Sequence, residues 1–424
     1  MTEGPVEAVP SRCGCAGKTS LDRVVRPALA ALRADSSFTI AGEAEAGLLS
    51  NTAGIKRSVA GDDYEGGRFV AAAFVAPERG SDADSFRSLL SSAYRRWGEG
   101  AGGSATVLKG HSIQLGRDAE SVVWGERFRP TGDRRPGYRV ANVDVIHALP
   151  GIDPVTQAAV ASAHAFNDCY TQGASADRDL RPIVGVPTEG TIAPDRVRGW
   201  YREAAAPEIT VREPSIVVHG GRGWQFGASV LATTARTPPV RVGKIGASDE
   251  VVLHRSPGAL ALLAGRADAD EPIDEGVGGR AIEALAADHA PVARAIEASC
   301  PRPQEAFDPE RHLKWAGDVS GPGIGGLLDT AESAGCGLAL DALPLFDRER
   351  LDAVRERWVV PDVTVETNGP IAAIGTPAAL DRFERRLPEC PSADPTRIGS
   401  VTDGTGVLRL AGETNAERYI ETSR

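Results

Sequence analysis

The chain has 424 residues, of which 42% are hydrophobic and 25% charged, and its formal net charge is −11. This length accommodates two or three domains that each have a core. Acidic residues are spread along the whole chain, which argues against non-specific nucleic-acid binding, because such binding needs a basic face. No apolar run approaches the length of a membrane-spanning helix, and the N-terminus lacks the pattern of a secretory signal. We therefore expect a cytoplasmic protein that binds neither nucleic acid nor membrane.

The N-terminal segment contains two of the six cysteines, Cys13 and Cys15, whereas the other four are scattered. This distribution predicts neither a disulfide framework nor a tetrahedral zinc site. In Cys15-Ala-Gly-Lys18 the lysine would favour a thiolate, and its ammonium group could also bind a polyphosphate. The alternative interpretation is an inert cysteine in a mobile N-terminal loop, and the glycines of 11–18 do predict such a loop.

The first predicted elements are a helix that begins near Leu21 and an irregular region over 34–110. Alternating apolar residues then predict a strand over 138–146. Asp153 and Pro154 provide an N-cap and a first-turn proline for a helix that ends before Gly173. We expect this helix to bury one face, made of Val155, Ala158, Ala159, Ser162, Ala163 and Phe166.

The remaining elements alternate between strands and helices. Strands are predicted over 183–186, 215–218, 228–231 and 250–253. Helices are predicted over 258–265, over 279–298 and from the glycine-rich turn at 321–326 to about residue 334. Thr237-Pro-Pro239 indicates a domain boundary between the two halves. Together the elements predict an α+β protein with two main lobes.

Four aspartates stand at or near the ends of predicted elements: Asp118, Asp144, Asp168 and Asp318. Magnesium prefers oxygen ligands and usually shares one or two carboxylates with substrate phosphates. Aspartates that converge from separate elements would suit that chemistry. The alternative is that they are helix caps or solvated turn residues.

A glycine-rich turn follows Asp318, with the sequence Asp318-Val-Ser-Gly-Pro-Gly-Ile-Gly-Gly326. Its glycines would let a ligand approach the backbone, and the helix that follows would favour an anion. The spacing also matches a dinucleotide-binding turn, which requires a strongly apolar strand immediately before it. Residues 312–318 are a poor candidate for such a strand, so an ordinary turn is preferred to a nicotinamide site.

Taken in order, these segments resemble the selenophosphate synthetase (selenide, water dikinase) family of the aminoimidazole ribonucleotide synthetase-like (PurM-like) superfamily. Cys15-Ala-Gly-Lys18 resembles the family's Cys-x-x-Lys loop, and Gly116-Arg-Asp-Ala119 resembles its Gly-Asp-Asp-Ala segment. Its longest motif is similar to Val143-Asp144, Asp153-Pro154 and Ala161-Ser-Ala-His-Ala-Phe-Asn-Asp-Cys-Tyr-Thr-Gln-Gly173. Its Asp-Val-Thr-Gly-Phe-Gly segment is similar to Asp318-Val-Ser-Gly-Pro-Gly323.

The resemblance implies an ATP-dependent enzyme that makes selenophosphate from selenide, with release of AMP and phosphate. It implies a homodimer with a PurM-like fold, in which a dimer-forming α+β domain precedes an α/β domain. The implied magnesium ligands are Asp118, Asp168 and Asp318. Cys15 and Lys18 would be catalytic, and the implied ATP-binding residues are Lys18, Asp144, His164, Asn167, Gly220 and Gly221. We expect an N-terminal loop and helix over 1–33, an insertion over 34–110, the ATP-binding domain over 111–236 and the second domain over 237–424.

The chain also departs from the family pattern. His164 stands where the family has Asn, Gly220-Gly221 is followed by Arg222 instead of His, and Thr367-Asn-Gly-Pro370 replaces Thr-Ser-Gly-Gly. These changes concern the acceptor side of the site more than ATP use. Two alternatives therefore stay open: a relative that activates sulfide, a carboxylate or an amide with ATP, and a non-catalytic ATP-binding protein.

Overall fold

The computed structural model describes residues 6, 14–15, 18–20, 122–124, 138–187, 190–219, 223–268, 276–302, 305–321, 323–355, 363–387, 393–404, 406–410 and 419–421. The predicted helix after residue 20, the region 34–110 and the segment 116–119 lie outside these residues. Asp118, Gly220 and Gly221 lie outside them as well, so the roles expected for them remain predictions.

The first sheet has six strands in the order β2-β3-β7-β4-β5, with β6 also paired to β4. Strand β1 (Lys18–Ser20) precedes it and pairs elsewhere. The strands of the sheet are β2 (Val122–Trp124), β3 (Tyr138–His147), β4 (Ala176–Pro187), β5 (Thr210–Val211), β6 (Ser215–His219) and β7 (Gln225–Thr234). β5 and β6 run parallel to β4, and the other pairs are antiparallel. The strands predicted over 138–146, 183–186, 215–218 and 228–231 are thereby confirmed.

The second sheet also has six strands, in the order β13-β10-β12-β8-β11-β9. They are β8 (Glu250–Leu253), β9 (Trp315–Asp318), β10 (Gly337–Leu340), β11 (Ile371–Gly375), β12 (Thr396–Thr402) and β13 (Val407–Leu410). Only the pair β10 and β13 is parallel among these strands. β14 (Tyr419–Glu421) pairs antiparallel with β1.

Eight α-helices are described between these strands: α1 (Pro154–Thr171), α2 (Pro194–Ala204), α3 (Ala259–Asp268), α4 (Val277–Ala286), α5 (Ala290–Ala298), α6 (Leu327–Ala334), α7 (Arg348–Arg355) and α8 (Pro377–Glu384). The single helix predicted over 279–298 is wrong, because the helical pattern breaks at 287–289. Pro291 lies in the first turn of α5, where a missing backbone N–H costs least.

Helix α1 begins as predicted, because the side chain of Asp153 accepts hydrogen bonds from the backbone N–H groups of Val155 and Thr156 at 2.9 and 3.0 Å. Gly173 follows its end with a φ of 72°. The prediction of one buried face is wrong, because nearly every residue from Gln157 onward is buried. The helix packs on β3 and β7 and also contacts α2, α4, α5 and β9, so it lies between the two sheets.

Strand β9 corrects the expectation that 312–318 is unsuited to a strand. Trp315 and Ala316 are buried, and the strand pairs antiparallel with β11 at the edge of its sheet. A dinucleotide-binding turn needs a parallel, buried strand, so the preference for an ordinary turn holds.

Two largely antiparallel sheets and their helices confirm the α+β class. Residues 235–249 connect β7, the last strand of the first sheet, to β8, the first strand of the second. None of the described helices is both long and apolar enough to cross a membrane.

Candidate functional site

Strand β3 and helix α1 face each other through two matched pairs of polar residues. Asn142 and Asp144 are two apart on the strand and so point to the same side, while His164 and Asp168 are four apart and share one helix face. Asp144 Oδ2 lies 2.8 Å from His164 Nε2, and Asn142 Nδ2 donates to Asp168 Oδ2 at 2.7 Å. The distance between two strand residues that are two apart is similar to the distance between two helix residues that are four apart. Each helix residue therefore meets its own partner on the strand.

His164 is buried and is held at both ring nitrogens. The backbone N–H of Asn368 donates to Nδ1 at 3.1 Å, so the neutral ring carries its proton on Nε2, the nitrogen that faces Asp144. Burial lowers the pKa of His164, whereas Asp144 and, to a smaller extent, Cys15 raise it, and the net direction is upward. The hydrogen bond from Asn368 acts in the opposite sense, because Nδ1 accepts it only in the neutral ring. The imidazole therefore links the first sheet to the loop that carries Asn368.

Cys15 reaches the same point from the N-terminus. Gly14 exchanges two backbone hydrogen bonds with His147, at 2.8 and 3.2 Å. The backbone N–H of Cys15 donates to Thr367 Oγ1 at 2.9 Å, and its Sγ lies 3.6 Å from His164 Nε2. Cys15 is only 5% exposed, so the N-terminal segment is enclosed by the rest of the protein at this residue.

Gly14 makes this position possible. Its φ is +52°, and a Cβ there would lie 2.4 Å from Thr367 Oγ1 and 2.9 Å from Leu260 Cδ1. Only glycine tolerates both the left-handed backbone and this close approach. The backbone of Lys18 continues into β1, and its side chain is outside the described atoms.

Asp318 ends β9 close to His164 and Asp144. Burial raises its pKa, and hydrogen bonds from Ser320 and Asn167 offset part of that effect, as does the charge of His164. Asp318 thus brings the second sheet to the cluster, next to a residue of α1.

A buried loop over 363–370 completes the cluster, and it contains the Thr367–Pro370 segment that the resemblance indicated only as an altered acceptor-side motif. Asn167 Nδ2 donates to Gly369 O at 3.0 Å, and the N–H of Glu366 donates to Ser320 O at 2.9 Å. Asn368 has a φ of 54°, a conformation that asparagine tolerates and that an Asn-Gly pair commonly adopts in turns. The Asn368-Gly369 pair was the available signal, although a turn signal alone does not reveal burial beside a site.

The structure therefore brings Cys15, Asp144, His164, Asn167 and Asp318 to one junction between the sheets. Asp168 lies one helical turn further on, against Asn142. Within the described part of the chain, no group of three or more His, Cys, Asp or Glu side chains is arranged to hold a metal ion.

No known family model matches the chain, and no curated protein matches its sequence. Solved structures do show a likeness. Thiamine monophosphate kinase from Aquifex aeolicus is 14% identical with a TM-score of 0.49, over 66% of this chain and 90% of the kinase. The hydrogenase maturation protein HypE of E. coli is 16% identical with a TM-score of 0.45, over 69% of this chain and 86% of HypE. These identities and scores are too low to assign an activity to the chain.

Proposed function

We propose that this chain is an ATP-dependent phosphotransferase of the PurM-like superfamily, resembling selenide, water dikinase, with Cys15 at the reacting centre. One observation carries the proposal: Cys15 lies 3.6 Å from His164, and His164 lies 2.8 Å from Asp144, although the three residues come from separate parts of the chain. The family resemblance assigns all three residues to one site. The same proposal divides the chain near residue 237 and locates it in the cytoplasm.

In this proposal the residues act chiefly by positioning. Phosphoryl transfer depends on alignment and charge stabilisation rather than on covalent help from the protein. The Asn368 N–H and Asp144 fix the orientation of the His164 ring, and Cys15 Sγ lies 3.6 Å from the same Nε2 atom that faces Asp144. Cys15 is almost entirely enclosed, and such a site would shield a chalcogenide acceptor from water.

The described residues do not by themselves fit a resident magnesium ion. Asp144 is engaged by His164, Asp168 accepts from Asn142, and no metal-holding group of three is present in the described ranges. Asp118 lies outside those ranges. Magnesium therefore remains a prediction from the family resemblance.

Two observations favour the alternatives. His164 replaces the family's Asn and lies against Cys15, so the acceptor could be sulfide, a carboxylate or an amide rather than selenide. Asp144 and Asp168 are both bonded to protein partners, which is the arrangement expected of a non-catalytic ATP-binding protein.

The homodimer expected from the family is also part of the proposal. On β3, Ala141, Val143 and Val145 alternate with buried residues and so lie on the face of the sheet opposite α1. Val143 is 44% exposed, and Val217 of β6 is 51% exposed. An apolar sheet face of this kind is suited to pairing with a second copy. Analytical ultracentrifugation tests this: we expect a dimer that Val143→Glu weakens, and a monomeric wild type would contradict it.

Anaerobic phosphorus NMR tests the catalytic proposal. The protein is incubated with ATP, magnesium and selenide, and then with sulfide in place of selenide. We expect a selenophosphate signal together with AMP, and its loss in Cys15→Ser. Cys336→Ser is the matched control, because that buried cysteine directly precedes β10 and packs in the hydrophobic cluster of the second sheet, which does not include Cys15. AMP formation only with another acceptor would support the first alternative, a relative that activates sulfide, a carboxylate or an amide. ATP that stays intact under every condition would contradict the proposal that the chain is an enzyme.

A further inference from the structure

Behind the junction lies a second polar cluster, centred on two fully buried histidines. His254 follows β8 and His289 precedes α5, and both are 0% exposed. Their rings meet edge to face, with centroids 4.5 Å apart and planes at 76°. Neither histidine has a part in the proposed reaction, so the reason for burying them together must be sought in their hydrogen bonds.

The hydrogen bonds define which nitrogen carries the proton on each ring. The backbone N–H of Ile371 donates to His254 Nδ1 at 2.7 Å, so the proton of neutral His254 is on Nε2. Asn167 uses its Nδ2 to donate to Gly369 O, which leaves Oδ1 facing His289 Nδ1 at 2.9 Å. His289 therefore donates from Nδ1, and its Nε2 is an acceptor.

Both rings are neutral at ordinary pH. Burial and the neighbouring Arg255 charge lower the pKa of His254 to about 3. Burial, with smaller effects from His254 and Arg255, lowers the pKa of His289 well below its usual value. His254 thus offers an N–H donor at Nε2, while His289 offers a lone pair at the corresponding atom.

Four buried polar atoms of this cluster have no hydrogen-bond partner among the described residues: His254 Nε2, His289 Nε2, Arg255 Nε and Asn368 Oδ1. Their residues adjoin one another, since Arg255 Nη2 donates to Asn368 O at 2.6 Å and the two imidazole rings are in contact. A buried polar group without a hydrogen-bond partner destabilises the fold. Four such atoms on adjoining residues are therefore unusual unless a ligand serves them together.

We infer that these atoms form an internal hydration site, in which a buried water bridges His254 Nε2 and His289 Nε2. Two of the four atoms are donors, on His254 and Arg255, and two are acceptors, on His289 and Asn368. Water accepts two hydrogen bonds and donates two, so its capacity matches this set. The site is independent of the proposed function.

Other ligands fit this set less well. A metal ion would need a lone pair on His254, but Nδ1 already accepts from Ile371 and Nε2 carries the proton. An anion would face the acceptor atoms of His289 and Asn368, and the charge of Arg255 already has Glu366 at 3.8 Å. Through His289 the water would help to hold Asn167, which joins α1 to the loop at Gly369.

Nuclear magnetic resonance on the full-length protein with isotope-labelled histidine tests the inference. His254→Gln and His289→Gln serve only to assign signals among the seven histidines. We expect the Nε2–H form for His254, the Nδ1–H form for His289, and magnetisation transfer from the His254 Nε2 proton to a long-lived water. His312 is the internal control, because both of its ring nitrogens face protein groups. Its Nδ1 accepts from the Asp308 N–H, and its Nε2 lies 3.7 Å from a Glu305 carboxylate oxygen.

Either of two results would overturn the inference. One is the opposite tautomer on either ring, which would remove the complementary donor and acceptor. The other is a His254 Nε2 proton that shows transfer only to protein protons, which would mean that the rings pack without water between them. A high-resolution crystal structure tests the same inference independently. Electron density for a water about 3 Å from both Nε2 atoms supports the site, and direct packing of the two rings without space for a water contradicts it.

Discussion

Two buried charged clusters of this chain differ in where their partners come from. Lys314 Nζ donates to both carboxylate oxygens of Asp249 at 2.7 and 2.8 Å, and Asp249 also accepts from the Gly246 N–H. All three residues belong to the part of the chain that builds the second sheet. At the junction, by contrast, Asp144, His164 and Cys15 come from a strand, a helix and the N-terminal segment.

The difference separates a structural ion pair from a candidate site. The Lys314–Asp249 pair satisfies its own charges and is almost fully buried, so it has little capacity left for a ligand. The junction holds a thiol, an imidazole and a partly exposed carboxylate whose arrangement depends on docking separate segments. We therefore expect changes to the pair to affect folding stability, and changes at the junction to affect reactivity.

The largest effect is expected from Lys314→Met. This change leaves Asp249 as a buried charge without its cation, which typically costs about 3–5 kcal/mol of the free energy of unfolding. Urea denaturation measures that cost. The double variant Asp249→Leu with Lys314→Met is the control, and it should recover most of the loss because no unpaired charge remains. A single variant as stable as the wild type would mean that the pair is not structural.

An effect that is intermediate in size over any single pH unit is expected from pH, through His254. The unfolded chain binds a proton near pH 6.5, whereas the folded chain does so only near pH 3. The unfolded state therefore binds more protons between these values, and stability falls as the pH is lowered through this window, by about 1.4 kcal/mol per pH unit.

His254→Gln should make that dependence on pH shallower. Denaturation midpoints measured across the window give the two slopes, and measurements above pH 7 are the control, because there the two proteins should respond to pH in parallel. Equal slopes below pH 6.5 would show that folded His254 protonates as readily as the unfolded residue.

The smallest effect on stability is expected from Gly14→Ala, at about 1–2 kcal/mol for a left-handed backbone. Because the new Cβ would collide with Thr367, Cys15 should leave the junction and react faster with a maleimide, as measured by mass spectrometry. Gly199→Ala is the matched control, since Gly199 lies on the exposed face of helix α2 and an added Cβ there meets nothing within 4 Å. An unchanged labelling rate in Gly14→Ala would mean that Gly14 does not hold Cys15 in place.

Much of the fold follows from local sequence signals. Asp153-Pro154 and Gly173 predicted both ends of α1, because caps and glycine act within a few residues. The burial of α1 on all sides was not predictable, since it results from the second sheet packing on it. Strand β9 was missed for a similar reason: its pairing with β11 comes from residues more than fifty positions later in the chain.

The site was predicted only in part. The family resemblance singled out Cys15, Asp144, His164, Asn167 and Asp318, which the structure brings together. Asn142 was missed, and Thr367 and Asn368 were indicated only as part of an altered family segment, because the roles of the three residues depend on contacts across 26, 352 and 204 positions in the chain. A local sequence pattern carries no information about contacts between residues so far apart in the chain. A polar residue in a strand or turn is ordinarily interpreted as solvent-exposed or as part of the turn.

The most direct test of one ATP-using site at the junction is hydrogen–deuterium exchange with and without ATP and magnesium. The account predicts that ATP slows exchange together in β3, in β9 with its glycine-rich turn, and in the loop over 363–370, while the region around Asp249 and Lys314 is unchanged. Protection confined to one sheet, or no protection at saturating ATP, would contradict the claim that these segments form a single nucleotide site.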